Sequence, residues 1–313
     1  MKLKQKLDKI CSISIFFLVM LFSITYSYAQ AENSTEQAKI YVGIYVLNLG
    51  KFDISTGSFT IDFYLSLKCD DICPNQDFEF MNGRAASLEK TLDLPQEKFY
   101  RIQANLNSPI DLKRFPFDSQ KMQIIIEDKK NTIERLVYVP NFEESGIDDS
   151  IAFAGWNIDD WNMETKEHYY PVYDETYSQI IFSIPISKIL INSIIKTLLP
   201  VIFILLVTLS SFILDTDKIP TRIAMVSSAL VASVMFHVSL SNQIPAVSYL
   251  TFADKFMVLT YFVLLMSFAF NVLLLELHQI KKDELLKILH SKAKYSSFII
   301  VLALYIMLFI LFL

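Results

Sequence analysis

Ser183-Ile184-Pro185-Ile186-Ser187-Lys188-Ile189-Leu190-Ile191-Asn192-Ser193-Ile194-Ile195 contains the change that decides the fold. Up to Lys188, polar and apolar residues alternate, the period of a strand with one face in a core and one in water. From Ile189 the alternation stops, and 189–214 is apolar almost throughout. The same contrast extends both ways. Toward the N-terminus, Phe59, Ile61, Phe63, Leu65 and Leu67 alternate with Thr60, Asp62, Tyr64, Ser66 and Lys68. Similar runs at 40–49, 99–106, 121–127, 134–139, 156–167 and 177–186 are separated by turn-type residues. Short strands at this spacing predict a β-sandwich over 30–188. Toward the C-terminus, apolar spans follow at 189–214, 223–244, 256–277 and 296–313. Each can cross a hydrocarbon core of about 30 Å, and lipid forces the backbone there to be helical. The expected fold is a mixed β and α membrane protein, an extracellular or periplasmic sandwich followed by a four-helix transmembrane domain over 189–313.

Composition agrees. The 313 residues are 53% hydrophobic and 19% charged, more apolar and less charged than a soluble domain. That excludes a plain cytosolic enzyme and a disordered chain. Net charge is −5 and no large basic patch lies outside the membrane flanks, so no nucleic-acid partner is expected. Six glycines and no GxGxxG or Walker pattern leave no nucleotide loop, and no cofactor is expected.

Residues 1–29 read as a secretory signal peptide. Lys2, Lys4, Lys6 and Lys9 precede an apolar stretch and the small residues Ser27 and Ala29. The alternative is a retained anchor helix. Between spans three and four, Lys281, Lys282, Lys287, Lys292 and Lys294 outnumber Asp283 and Glu284, which places 278–295 in the cytoplasm. Four spans then put the sandwich and the C-terminus outside, as the signal peptide also requires. The setting is a cell (inner) membrane, crossed several times. Of three cysteines, Cys69 and Cys73 lie beyond the leader. In an oxidising compartment they form a small disulfide loop or stay as two thiols, and they are too few for a metal site.

The second span differs from the others. It holds Ser227, Ser228, Ser233, His237, Ser239, Ser241, Asn242 and Gln243, and polar residues in a membrane helix face protein or water. Ala224, Ser228, Val231, Met235, Val238 and Asn242 follow each other at steps of four and three, one stripe on a helix. Small and polar ends flank an apolar belt, the layout of a pore that closes by dewetting. Arg222 is expected at its cytoplasmic entrance. The competing reading is a bundle helix whose serines hydrogen-bond to neighbours. One such helix cannot enclose a pore, so the pore reading requires an oligomer. His237 lies off the stripe, either as a buried proton sensor or in an interhelical hydrogen bond.

The stretch Ser108-Pro109-Ile110-Asp111-Leu112-Lys113-Arg114-Phe115-Pro116-Phe117-Asp118-Ser119-Gln120-Lys121-Met122 resembles the signature loop of the Cys-loop receptor superfamily, the pentameric ligand-gated ion channels. Its Phe-Pro-Phe-Asp-x-Gln core is intact. Ser108 and Met122 stand where the eukaryotic loop has its two cysteines, as in bacterial members. Gly155-Trp156, Pro200 in the first span, and Pro245 and Tyr249 after the second also fit. The resemblance implies a homo-pentamer in a lipid bilayer that conducts monovalent ions. A small-molecule agonist or protons would bind between neighbouring sandwiches. It implies a capping hairpin around Tyr169, Tyr170, Tyr173 and Tyr177. It implies coupling through Phe115, Pro116, Phe117, Asp118, Lys188, Pro245 and Tyr249, with Lys188 paired to Asp118. One departure stands out: between Asp71 and Phe78 the usual Trp-Pro-Asp-like element is shortened, with Asp77 left and no Trp.

Four tyrosines beside Glu167, Asp174 and Glu175 suit an ammonium ligand, unless strand packing occupies them. Glu143, Glu144, Asp148 and Asp149 could take protons or Ca²⁺, or form a solvated loop. Selectivity is contested. Ile219-Pro220-Thr221-Arg222 lacks the carboxylate of cation channels and resembles an anion filter. From Gln30 to Leu190, 15 bases against 26 acids give −11, which enriches cations. The narrow filter outweighs the wide vestibule at physiological salt, so anions are expected. A non-conducting, membrane-tethered ligand sensor is the rival. An enzyme is not expected, because no Ser-His-Asp set or metal spacing appears.

Overall fold

The computed structural model describes residues 37–74 and 77–312. The expected leader lies outside the described residues. Eleven strands come first: β1 (Ala38–Leu49), β2 (Ser58–Cys69), β3 (Phe78–Phe80), β4 (Gly83–Asp93), β5 (Glu97–Asn107), β6 (Ser119–Asp128), β7 (Leu136–Pro140), β8 (Gly146–Ile147), β9 (Trp156–Ile158), β10 (Asn162–Tyr170) and β11 (Glu175–Lys188). One sheet runs β4-β5-β2-β1-β7 with β8 also on β1, and the other runs β10-β11-β6-β3 with β9 on β11. β7 and β8 lie parallel to β1.

The alternation of β2 explains the packing. Phe59, Ile61, Phe63, Leu65 and Leu67 are all buried, and they meet Met122, Ile124, Ile126, Ile180, Phe182, Ile184 and Ile186 from the opposite sheet. The region 156–167, expected as one strand, is two. Between β9 and β10, Trp161 turns inward and stacks on Phe182 with ring centroids 5.1 Å apart. β4 was not anticipated. Almost every residue in it is exposed, so no face carries an apolar row for a period of two to reveal.

Four helices long and apolar enough to cross a membrane follow: α1 (Leu190–Ser211), α2 (Ile219–Ser241), α3 (Phe252–Gln279) and α4 (Asp283–Phe312). α1 widens into a π turn at Ile194–Leu198, directly ahead of Pro200, which offers no N–H to the turn before it. Pro220 starts α2, where a missing N–H costs nothing. The segment 278–295 is mostly helix rather than linker. Its Leu286 and Leu289 pack on Leu274 and Leu277, so only 280–282 separate α3 from α4. Within its most apolar window α4 is 6% buried, against 33% for α3, which makes it the peripheral helix.

Candidate functional site

α2 packs into the bundle through Val226, Ala229, Ser233 and Leu240. The opposite face carries Ala224, Ser228, Val231, Met235, Val238 and Asn242, and every one of these is exposed. Val231 is 64%, Met235 67% and Val238 55% exposed. The chain therefore leaves this stripe uncovered along the length of the helix. Thr221 and Asp217, also exposed, continue the spacing of three and four below Ala224.

Arg222 is not on that face. It is fully buried, with Nη1 3.4 Å from His290 Nδ1 and its guanidinium carbon 5.6 Å from the Phe212 ring centroid. At 100° per residue it stands about 200° from Ala224, so the helical wheel itself sends it into the bundle.

The junction between the two domains is built from the loop before β6. Leu112 and Phe115 are buried in one cluster with Phe252, Ala253 and Phe256 of α3. The bond between Phe115 and Pro116 is cis. Phe252 N–H donates to the Lys113 carbonyl at 2.8 Å and Ala253 N–H to the Phe115 carbonyl at 3.0 Å. These are first-turn N–H groups that a helix cannot satisfy itself. Thr251 and Asp254 close the rest of that end as a reciprocal capping box. Leu112 N–H donates to the Tyr249 hydroxyl at 3.0 Å, the Phe117 and Phe252 rings are 5.6 Å apart, and Pro245 is half-buried in the loop between α2 and α3. Lys188, at the end of β11, reaches Asp118 at 3.0 Å, with the two side chains 15% and 1% exposed. Its ammonium also lies 4.1 Å from the Phe115 ring centroid. Burial pushes the Lys188 ammonium pKa down, against the Asp118 charge that raises it. The receiving turn of α3 carries the Thr251-x-x-Asp254 capping pattern in the sequence, but only packing reveals the loop it receives.

The four tyrosines of the β10–β11 hairpin do not share one face. Cross-strand partners share a face: Tyr177 lies opposite His168 and Tyr170 opposite Glu175, while Tyr169 lies opposite Thr176. Tyr169 is thus on the other face, bonded to Asp174, and Tyr173 stands 71% exposed at the turn. Tyr170 and Tyr177 meet edge to face at 5.6 Å.

Their face holds a centre that the sequence did not disclose. Glu127 of β6, 3% exposed, lies 3.0 Å from His168 Nδ1. It accepts hydrogen bonds from the Tyr170 hydroxyl at 2.9 Å and from Gln179 at 2.7 Å. Burial and the Glu127 hydrogen bond push the Tyr170 phenol up to about 12. The Glu175 hydrogen bond does the same for Tyr177, also about 12. Glu79 of β3 faces Glu127 across the adjacent strand pair.

The loop acids are separately engaged. Glu144 is tied to Lys68 and to the Ser66 hydroxyl. Burial pushes its pKa up, but these two partners hold it below the usual range. Asp148 is held low by Ser150. Among the described residues, no three His, Cys, Asp or Glu gather as a metal site. Asp77 pairs with Lys129 and Lys130. Cys69 and Cys73 are joined in a disulfide. His237 bridges helices, with Nδ1 2.9 Å from the Tyr261 hydroxyl and Nε2 3.3 Å from Asp254.

No family model matches the chain. It is similar to a proton-gated ion channel of Gloeobacter violaceus, 22% identical over 256 residues, which are 72% of this chain and 70% of that protein. It is also similar to 5-hydroxytryptamine receptor 3B of Homo sapiens, 27% identical over 154 residues, 48% of this chain and 34% of the receptor. A third relative is pH-sensitive chloride channel 2 of Drosophila melanogaster, 26% identical over 181 residues, 54% of this chain and 34% of that protein. These relatives are channels and a receptor, not enzymes.

Proposed function

We propose that this homologue of the Cys-loop ligand-gated ion channels works as a homo-pentamer, with five α2 stripes facing a central pore. The uncovered stripe from Ala224 to Asn242 carries this reading. A bundle helix using its serines as packing glue would have turned them all inward, whereas Ser228, Ser239 and Ser241 stay exposed. Val231, Met235 and Val238 form the apolar belt. Narrowed, it sheds water and blocks ions; widened by a small tilt of α2, it rewets.

The trigger acts at the Glu127 centre, as a proton or a small ligand. Two of the relatives are named for protons or pH, and the His168 ring lies 3.0 Å from the buried Glu127 carboxylate. Through Glu127, His168 and Gln179 tie β10 and β11 to β6. The charged and titratable groups around His168 are Glu127 and Glu79 from the neighbouring strands, with Tyr170, Tyr177 and Glu175 on the hairpin. Movement of β11 reaches the membrane through Lys188 and Asp118, then through the Phe115–Asp118 turn to the head of α3.

For selectivity, the buried Arg222 no longer supports an anion filter. With no cation on the stripe, the exposed Asp217 and the −11 of the outer domain favour cations by enriching them at both mouths.

Voltage clamp of the full chain in oocytes tests all of this. A pH drop or an amine panel should open a current whose reversal follows Na⁺ and ignores Cl⁻. Reversal that follows Cl⁻ would return the anion reading. His168→Gln should blunt the pH response and leave surface expression unchanged. Val231→Ser, which wets the belt, should leak without stimulus. Silence from that variant at confirmed surface expression would favour the non-conducting sensor.

A further inference from the structure

The joint between the two domains encloses a pocket whose donors serve no contact within the chain. About 190 Å³ lies between Phe115 and Pro116 of the loop, Trp156 of β9, the first two turns of α1 and Gln243 beyond the outer end of α2. α1 presents one face to it, through Asn192, Ser193, Lys196 and Thr197 at helical spacing. Ser193 and Thr197 are 8% and 4% exposed, yet neither hydroxyl has a hydrogen-bond partner among the described residues. Further along the same helix, Thr208, Ser210 and Ser211 each return the hydroxyl to a backbone carbonyl. The π turn at Ile194–Leu198 interrupts the regular ladder on which such back-bonds rely.

Lys196 brings a charge to this face. It is exposed and has no ion pair among the described residues. The other lysine of the lining, Lys188, is committed to Asp118. The pocket therefore holds one uncompensated positive charge. Ile189, the cap of α1, offers no acceptor to the first-turn N–H groups, which adds the positive end of the helix dipole to the same wall. The amides of Asn192 and Gln243 are likewise without partners. Opposite these donors, Phe115, Trp156 and Ile54 offer carbon surface. The strap 242–251 of a neighbouring subunit cannot supply the missing charge, because it contains no Asp or Glu.

We propose that this pocket binds a small monocarboxylate with a compact apolar body, the carboxylate on Lys196, Ser193 and Thr197 and the body against Phe115 and Trp156. The donor set fixes the class. A carboxylate accepts from an ammonium and two hydroxyls at once. One free lysine neutralises one charge, so a dianion would leave its second charge unpaired. The volume is below that of a drug-sized site, so the body is a single ring or a short chain. A bound ligand would tie α1 and the tip of α2 to the loop. Binding itself does not rest on the channel reading; only its effect on the ease of opening does.

Isothermal titration of the purified full chain in phosphatidylcholine nanodiscs tests the site, with thermal unfolding as a second readout. The probes are benzoate, its neutral counterpart benzyl alcohol, and the dianion phthalate. Benzoate should bind about tenfold more tightly than benzyl alcohol, the effect of one charge-assisted contact, and should raise the unfolding temperature. Phthalate should bind more weakly than benzoate. Lys196→Gln should erase the preference for benzoate, and Lys196→Arg should keep it; the residue is exposed, so neither change threatens the fold. Thr197→Val, which keeps the shape, should weaken benzoate about fivefold. Equal binding of benzoate and benzyl alcohol, tighter binding of phthalate, or an unchanged preference in Lys196→Gln would overturn the proposal. So would no binding at all, which would leave Lys196 a solvated lysine or the pocket filled by a neighbouring strap. Loss of benzoate binding when phosphatidylglycerol replaces part of the phosphatidylcholine would also overturn it, by giving the pocket to a lipid headgroup. None of these readouts is a current, so a chain that binds benzoate and conducts nothing would break the channel reading alone.

Discussion

The sandwich and the bundle use the same apolar residues in opposite ways. In the sandwich, Phe63, Phe182 and Ile184 are wholly inside. In the bundle, Leu302, Ile306 and Ile310 are 63%, 51% and 78% exposed. Water drives the first arrangement. Lipid, as apolar as the side chains, makes the second free of cost. The lesson is that burial measures stability in one half and not in the other. In the bundle, information sits instead in the polar residues: where Ser228 and Asn242 are left open, and where Arg222 is hidden.

The difference can be broken at graded strength. Phe182→Ala, which also removes the surface under Trp161, should cost about 3–5 kcal/mol, read as a large fall in the unfolding temperature of the full chain. Asp118→Asn strands the buried Lys188 at the boundary between the two regimes and should cost roughly 3 kcal/mol. Adding Lys188→Met should recover most of it, and a double-mutant cycle on stability and on activation tests the pairing. If the two changes simply add, the pair is not coupled. Thr251→Ala removes the cap of α3 and should cost about 1 kcal/mol, with the right-shift in activation exceeding the loss in stability.

Acid gives a weaker handle. The Glu144 pKa lies below its unfolded value, so its contribution is present above the unfolded pKa and is lost as pH falls through the folded one. Glu144→Gln should flatten that acid limb only slightly, because both partners of the Lys68 pair are about a third exposed. Smallest of all, Leu302→Ala on the lipid face should change stability by no more than about 0.5 kcal/mol. A loss as large as that of Phe182→Ala would mean that α4 is buried in the assembly.

Legibility followed the same divide. β2 was readable because one face is all core. β4 was not, because neither face is. The stripe on α2 was readable from spacing alone, and that spacing also excludes Arg222, whose charge had suggested a pore entrance. The hairpin tyrosines sort by strand parity, which separates Tyr169 from Tyr170. Glu127 and His168 lie 41 residues apart, and only the register of β6, β11 and β10 places them together. No local pattern could announce that centre. Thr251-x-x-Asp254 announces the head of α3, but its partners come from a loop more than a hundred residues earlier.

That head has a mechanical consequence. The carbonyls of Lys113 and Phe115 are the acceptors for the N–H groups of Phe252 and Ala253. Sliding the loop sideways would break both bonds at once, in a place where water is scarce. The joint therefore behaves as a riveted lever rather than a sliding bearing, and the loop and the first turn of α3 travel together. The torque passes to α2 along the short strap of residues 242–251, which ends on its outer tip, and through the His237 bridge to Asp254 and Tyr261.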